Sequence, residues 1–391
     1  MNNSNYFDLS GVPTVVGTGL IALDVVVNHA TKAAPKVFAG GTCGNVLTIL
    51  SYLGWLSYPV ARMDCDAASK HVLADFQKWG VQTDLCKCLP SGETPIVIQN
   101  IRRAPDGHNI HRFSFTCPNC GAWLPGFKPV TTPTVEVVLA RVSQPKVYFF
   151  DRLSRAAVNL AKAYSDQGAL IVFEPSGLGD PKLFQEVLQI VHVLKYSNER
   201  LNEMSDLHFA QTPLLTVETL GNEGLRYRSS IRGCKSSDWA SLNAFSVKQV
   251  VDTAGAGDWC TAGLIHLLGT QGAAGFAKTS SSSLRDALLF GQALAAWNCQ
   301  FEGARGGMYA KDKMGLHRDV NKILLGEAQA LSPDTSLGQL IKAPVFRCST
   351  RECAKRAQNR SMKVENPGTK ARSTSSRGEV SKTTSKFSRE A

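Results

Sequence analysis

The sequence predicts an α/β protein built on a mainly parallel sheet with helices on both faces. Three observations carry this. Strand-length apolar runs alternate with helix-length segments through the middle of the 391-residue chain. The runs are apolar at consecutive positions rather than at every second one, as strands buried on both faces require. Gly and Pro punctuate their ends, as in Glu174-Pro175-Ser176-Gly177.

Taken in order, Lys146–Phe150 (KVYFF) reads as a strand and Arg155–Tyr164 as a helix. Ala169–Phe173, Ile190–Lys195 and Leu214–Glu218 read as further strands, and Asn198–Leu207 as a helix. The N-terminal third has another pattern. Thr14–Gly19, Ala22–Asn28 and Thr94–Ile101 are strand candidates, and Pro105-Asp106-Gly107 marks a turn before a fourth at Ile110–Phe115. These pieces, from about residues 14–30 and 92–118, predict a small separate sheet beside the main domain. Beyond Lys342 the periodicity ends and Ser, Thr, Lys and Arg dominate. Such a segment buries too little apolar area to offset its ordering entropy. The expectation is a folded domain over 1–341 and a disordered basic tail over 342–391.

Composition is that of a globular chain, 43% hydrophobic and 19% charged. The net charge of +11 sits in the tail: residues 342–391 hold 13 Lys/Arg against 4 Asp/Glu, leaving 30 basic and 28 acidic residues in 1–341. The tail has two aromatics, Phe346 and Phe387, and no amphipathic pattern. It reads as a solvated extension, with neither nucleic acid nor membrane as a partner. No apolar run of about 18 residues is present. The start, MNNSNYFDLSG, shows no basic flank and no apolar core of a secretion signal, so the expected location is cytoplasmic. The eleven scattered cysteines, among them Cys43, Cys260 and Cys299 in apolar stretches, read as reduced buried side chains.

The chemistry concentrates in Val250–Leu268, VVDTAGAGDWCTAGLIHLL. Gly255-Ala256-Gly257 lets the backbone turn tightly and present bare N–H groups. A helix starting near Gly257 adds the positive end of its dipole, which makes an anion hole suited to phosphate. Asp258 beside it would repel that anion unless its task is to accept a proton from a hydroxyl attacking the phosphate.

DTAGAGD followed by WCT and AGLI resembles the C-terminal signature of the ribokinase-like (PfkB) carbohydrate and nucleoside kinases. Further segments resemble the family in the same order along residues 13–310: Asp24 in GLIALDVVV, Gly40, Gly41 and Asn45 in AGGTCGNVLTILSYLGW, Thr219, Gly221 and Gly224 in VETLGNEGLRY, and Ala304–Met308 after a helix over Leu284–Cys299. The resemblance implies a three-layer αβα sandwich with a mainly parallel central sheet and a small β-sheet lid. It implies in-line transfer of the γ-phosphoryl group of ATP to a hydroxyl, usually a hydroxymethyl, with magnesium on the phosphates. Asp258 would be the general base and Gly255, Ala256 and Gly257 the anion hole. Asp24, Gly40, Gly41 and Asn45 would bind the sugar or nucleoside; Asn198, Thr219, Gly221 and Gly224 would bind ATP. A monovalent cation near the anion hole and a homodimer through the lid are family features that no specific residue here supports.

Several positions depart from the family pattern. Cys43 and Leu47 stand where smaller residues are usual, and Met63 replaces a Gly. Leu201 takes the Glu place of the Asn-x-x-Glu element begun by Asn198, with Glu199 or Glu203 as substitutes. Glu174-Pro175-Ser176 stands where many sugar kinases have Asp-Pro-Asn. These departures keep open an alternative, a catalytically weak relative that senses a sugar or nucleotide. On local chemistry alone, Asn45 and Asn198 also read as helix N-caps. Finally, His108, His111, Cys117 and Cys120 have half the spacing of a zinc site. No second CxxC is present, so the favoured reading is buried thiols in a turn rather than structural zinc.

Overall fold

The computed structural model describes residues 6–7, 9, 11–29, 35–103, 109–118, 120–199 and 213–327. All of these lie in one unit, Met1–Arg347. The basic tail falls outside the described residues, as do His108, Leu201 and Glu203.

Nine strands form the large sheet: β1 (Thr14–Thr18), β4 (Leu56–Met63), β5 (Cys86–Cys88), β8 (Val147–Phe150), β9 (Leu170–Phe173), β10 (Val193–Ser197), β11 (Leu215–Thr219), β12 (Leu225–Ser229) and β13 (Ser236–Leu242). Their order is β13-β12-β11-β10-β9-β8-β1-β4-β5. Pairing is parallel from β5 to β11 and antiparallel across β11, β12 and β13. β8 and β9 are buried at every position, which is why their sequences are apolar throughout. The second sheet has the order β3-β2-β6-β7, from β2 (Ala22–Asn28), β3 (Lys36–Gly40), β6 (Ile96–Arg103) and β7 (Asn109–Ser114).

One expected lid strand is misplaced. Thr14–Thr18 lies in the middle of the large sheet, between β4 and β8. Val15, Val16, Gly17 and Thr18 are all buried, the mark of an interior parallel strand rather than a half-exposed lid strand. Gly17 makes room for a helix: a Cβ there would lie 2.8 Å from Leu47 Cδ1. The lid takes its fourth strand instead from Lys36–Gly40.

Helices α3 (Pro133–Arg141), α4 (Arg155–Asp166) and α5 (Pro181–Leu188) cover one face of the sheet. There Val138, Leu160, Tyr164 and Phe184 join Val16, Tyr148, Phe150 and Phe173 in one core. The remaining helices are α1 (Thr42–Tyr52), α2 (Ala67–Lys78), α6 (Ala256–Leu268), α7 (Gly272–Phe276), α8 (Ser281–Asn298), α9 (Gly306–Ala310) and α10 (Lys313–Leu324). α6 and α8 cross closely because both carry glycine at the contact: a Cβ on Gly263 would fall 2.6 Å from Gly291 Cα.

Side-chain caps from Asp66, Ser154, Asp180, Ser280 and Asp312 start α2, α4, α5, α8 and α10. α1 and α6 start differently, at Gly41 (φ 82°) and Gly255 (φ 76°), with no side-chain cap. Asn45 is thus not the N-cap of α1. It lies one turn inside the helix, where its amide is turned to another use.

Candidate active site

Gly255 adopts a left-handed conformation that a β-carbon would strain, and its Cβ would also lie 2.2 Å from Ala304 O. The turn therefore closes only with glycine, and it delivers Asp258 to the first turn of α6. Of the expected anion-hole amides, Ala256 N is engaged by Thr253 O at 3.2 Å. Gly257 follows at the second helical position, where an amide has no intrahelical partner.

Asp258 is 9% exposed and accepts a 2.7 Å hydrogen bond at Oδ2 from Asn45 Nδ2. Asn45 is held in turn by Arg305, whose Nε donates to Asn45 Oδ1 at 3.1 Å. Arg305 Nη2 donates to Ala39 O at 2.6 Å and to Asp75 Oδ2 at 2.7 Å. Tyr309 donates its hydroxyl to the other Asp75 oxygen. Burial opposes the charge on Arg305, but Tyr309, Asp75 and Asp24 around it keep its pKa above the ordinary arginine value.

Asp24 meets the expected glycines. A Cβ on Gly40 would fall 1.9 Å from Asp24 Oδ2, and one on Gly41 would fall 2.4 Å from Leu20 O. The pair Gly40-Gly41 thus leaves space for a carboxylate and a chain crossing. Burial pushes Asp24 up to about 7, against the pull of Arg305 and the Gly41 N–H and with help from Asp252. Asp252, the first Asp of DTAGAGD, is fully buried. It accepts from Ala254 N at 2.8 Å, Gly303 N at 2.8 Å and Gln99 Nε2 at 3.2 Å. Since Gln99 belongs to β6, this bond ties the lid to the loop before α6.

The expected nucleotide residues form a second group at the ends of β10 and β11. Asn198 N donates to Thr219 O at 3.1 Å, so Asn198 lies in a turn against β11. Gly221 (φ 60°) and Gly224 (φ 104°) make the tight turn into β12, and a Cβ on Gly224 would lie 2.2 Å from Leu242 O. Gly224 therefore has a structural reason to be glycine whatever it binds.

Lys195 connects the two groups, and sequence reasoning missed it. It is 1% exposed on β10, and its Nζ donates to Glu174 Oε1 at 2.7 Å. Thr261 of α6 holds the other Glu174 oxygen. A Cβ on Gly257 would lie 3.5 Å from Lys195 Nζ, which puts the cation under the start of α6. Burial disfavours its charge, but Glu174 outweighs that and raises its pKa above the ordinary lysine value. The signal was available: a lysine inside the apolar strand HVLKY must find a buried partner. Asp75, Gln99 and Arg305 gave no such signal, because their roles depend on partners far along the chain.

At the cysteine turn, Cys117 is buried and Cys120 half-buried; Gly121 N donates to Cys117 O at 2.8 Å. Among the described residues no three His, Cys, Asp or Glu side chains cluster as metal ligands. His108 lies outside the described residues. Among those residues, too, no helix is long and apolar enough to cross a membrane.

A nine-stranded αβα sheet, a four-stranded lid and a carboxylate at an uncapped helix start define a ribokinase-like fold. The model of the pfkB family carbohydrate kinases matches residues 151–311, the stretch that holds Lys195, Asp258 and Arg305. Solved structures share the fold at low identity. A ribokinase from Arabidopsis thaliana complexed with ribose and ATP is 19% identical, covering 80% of this chain and 99% of its own, with a TM-score of 0.57. A fructokinase from Xylella fastidiosa with bound ATP is 16% identical over 89% of this chain and 99% of its own, TM-score 0.58. A nucleoside kinase from Burkholderia thailandensis in complex with ADP-inosine is 14% identical over 83% of this chain and all of its own, TM-score 0.58. A search of curated proteins finds no match.

Proposed function

We propose that this protein is an ATP-dependent phosphotransferase that moves the γ-phosphoryl group to a hydroxyl, above all a hydroxymethyl, of a sugar or nucleoside. The observation that carries the reading is the Asp258 carboxylate, anchored by Asn45, in the first turn of a helix that starts at a left-handed glycine without a side-chain cap.

The residues fit a nucleotide's phosphates. Gly255 makes the left-handed turn that starts α6 without a side-chain cap, and the positive end of that helix, with the Gly257 amide at its second position, suits negative charge. Beneath Gly257 lies the Lys195–Glu174 ion pair, which supports the start of α6 without adding net charge. Asn198, Thr219 and Gly221 would line the nucleotide's path along β10 and β11. Magnesium, bound with ATP, would neutralise charge on its phosphates.

Asp258 acts as general base. Asn45 fixes its orientation, so the carboxylate can take the hydroxyl proton as the oxygen attacks. Asp24, beside Gly40 and Gly41, would bind other hydroxyls of the acceptor, and the lid strands would cover it and exclude water.

The test is ADP release from ATP and magnesium over a panel of sugars, sugar phosphates and nucleosides, with Asp258→Asn as the control. Turnover that depends on an acceptor and falls by roughly 10²–10⁴-fold in the variant is the expected result. Acceptor-independent ATP hydrolysis, or a variant as active as wild type, would refute it. The departure at Leu201 favours a second reading, a sensor of sugar or nucleotide. Thermal stabilisation by an acceptor without any ADP release would mark it.

A further inference from the structure

A cleft of about 380 Å³, its open mouth included, lies at the carboxyl ends of β1 and β4. Its lining includes Gly19, Arg62, Glu93, Lys128, Arg152 and Ser154. Most of that space is open to solvent, so the cleft suits one small charged group of a larger molecule rather than a whole ligand, and the charges in and around it are unequal.

Two carboxylates stand against the three cations, and both are committed. Glu93 is bonded at Oε1 by Lys128 at 2.7 Å and at Oε2 by Gly126 N at 3.0 Å. Asp151, 1% exposed behind the cleft, is bonded at Oδ1 by Leu20 N at 2.9 Å and at Oδ2 by Arg152 at 2.6 Å. Arg62 remains. Its Nε is buried and has no hydrogen-bond partner. One positive charge is therefore in excess, and one charged donor is desolvated without return. A protein leaves a donor in that state at a real cost, which a ligand anion removes.

The cleft adjoins the proposed acceptor site. Gly19 lines it, and the next residue, Leu20, accepts from Gly44 N at 3.2 Å at the start of α1. One residue further on, Asn45 holds Asp258. Cys43, in the same turn, feels the charges of Asp151, Arg152 and Asp258 together. The rim of the cleft at Gly19-Leu20 is thus bonded to the first turn of α1, the turn that carries Asn45 and through it Asp258.

We infer that the acceptor carries an anionic group, a carboxylate or a phosphate, which Arg62 receives with Arg152 and Lys128 around it. The inference rests on the phosphotransferase reading and narrows its substrate class to sugar acids or sugar phosphates. A guanidinium suits either group, because its fork offers paired donors to two oxygens.

The experiment compares matched acceptors, gluconate with glucose and fructose 6-phosphate with fructose, in wild type and Arg62→Gln. For at least one pair, the charged member should have the higher kcat/KM, and Arg62→Gln should lower that value by about 30-fold while leaving the neutral member's unchanged. The gluconate and fructose 6-phosphate arms separate carboxylate from phosphate. Preference for the neutral member in both pairs would overturn the inference and leave the kinase reading standing. So would an Arg62→Gln effect equal on both members. The wild-type preference alone decides the matter if the variant fails to fold. If no acceptor yields ADP, thermal shift of the wild type with the same four compounds tests the cleft by itself. Stabilisation by a charged compound over its neutral match supports an anion site in a protein that is not this kinase; equal shifts refute it.

Discussion

Arg305→Met removes a charge and keeps most of the side chain's volume. The arginine side chain is 1% exposed and joins Ala39, Asn45 and Asp75, three sites that lie more than 200 residues earlier in the chain. The substitution leaves the Asp75 carboxylate, 11% exposed, without its cation. Breaking one side of a buried pair costs about 3–5 kcal/mol. At about 2.1 cal/mol/K per residue, a unit of this size should lose roughly 4–7 °C in Tm. A second effect is separable from the first. Asn45 loses its Oδ1 anchor and so holds Asp258 less firmly, which should lower kcat by about 10²-fold below the melting transition. Calorimetry gives the first number and ADP release the second. Arg305→Lys should rescue neither, since one ammonium cannot serve three acceptors in the geometry of the fork. A Tm and kcat near the wild-type values in Arg305→Met would refute the assignment of Arg305 as the tie between lid, helix and base.

Two more predictions concern buried charge. Lys195→Met strands Glu174 beneath α6 and should cost about 3–5 kcal/mol in denaturant titration, whereas Lys195→Met with Glu174→Gln should recover part of that loss; a double variant as unstable as the sum of both singles would count against the pair. Asp24, raised from 3.8 to about 7, gives a pH dependence with a definite sign. Between those values the folded chain keeps a proton that the unfolded chain has released. This contribution to stability is fully present below about pH 4 and is lost as pH rises through 7. Asp24→Asn should therefore gain on wild type between pH 5 and pH 8, by on the order of 2–4 kcal/mol; a difference that does not change with pH would contradict the burial argument.

The parts of the fold that were legible in the sequence are those decided locally. Val147–Phe150 and Leu170–Phe173 read as interior strands because burial on both faces demands unbroken apolar runs. Thr14–Thr18 obeys the same rule, but Gly17 interrupts its apolar run, and its neighbours β4 and β8 come from distant segments. Lys36–Gly40 was unreadable as a strand because its last residue opens the glycine pair. For the site, Gly255 and Asp258 were legible because a left-handed turn before a helix has a residue signature. The side chains that hold them were not. Arg305 lay within the Ala304–Met308 segment and Gln99 within a strand candidate, but neither they nor Asp75 carry a local sign of their partners, and only the folded chain shows that each is matched to a group on another element.

The bond between Gln99 and Asp252 makes the lid more than a cover. Asp252 fastens three separate stretches of chain at once: the lid strand, the turn at Ala254 and the Gly303 segment ahead of Arg305. A hinge motion of the small sheet must therefore either break a charge-assisted hydrogen bond, worth about 1.5–3 kcal/mol, or drag the glycine loop with it. Either way, the small sheet and the glycine turn before α6 share one latch, so a displacement of the first is transmitted to the second.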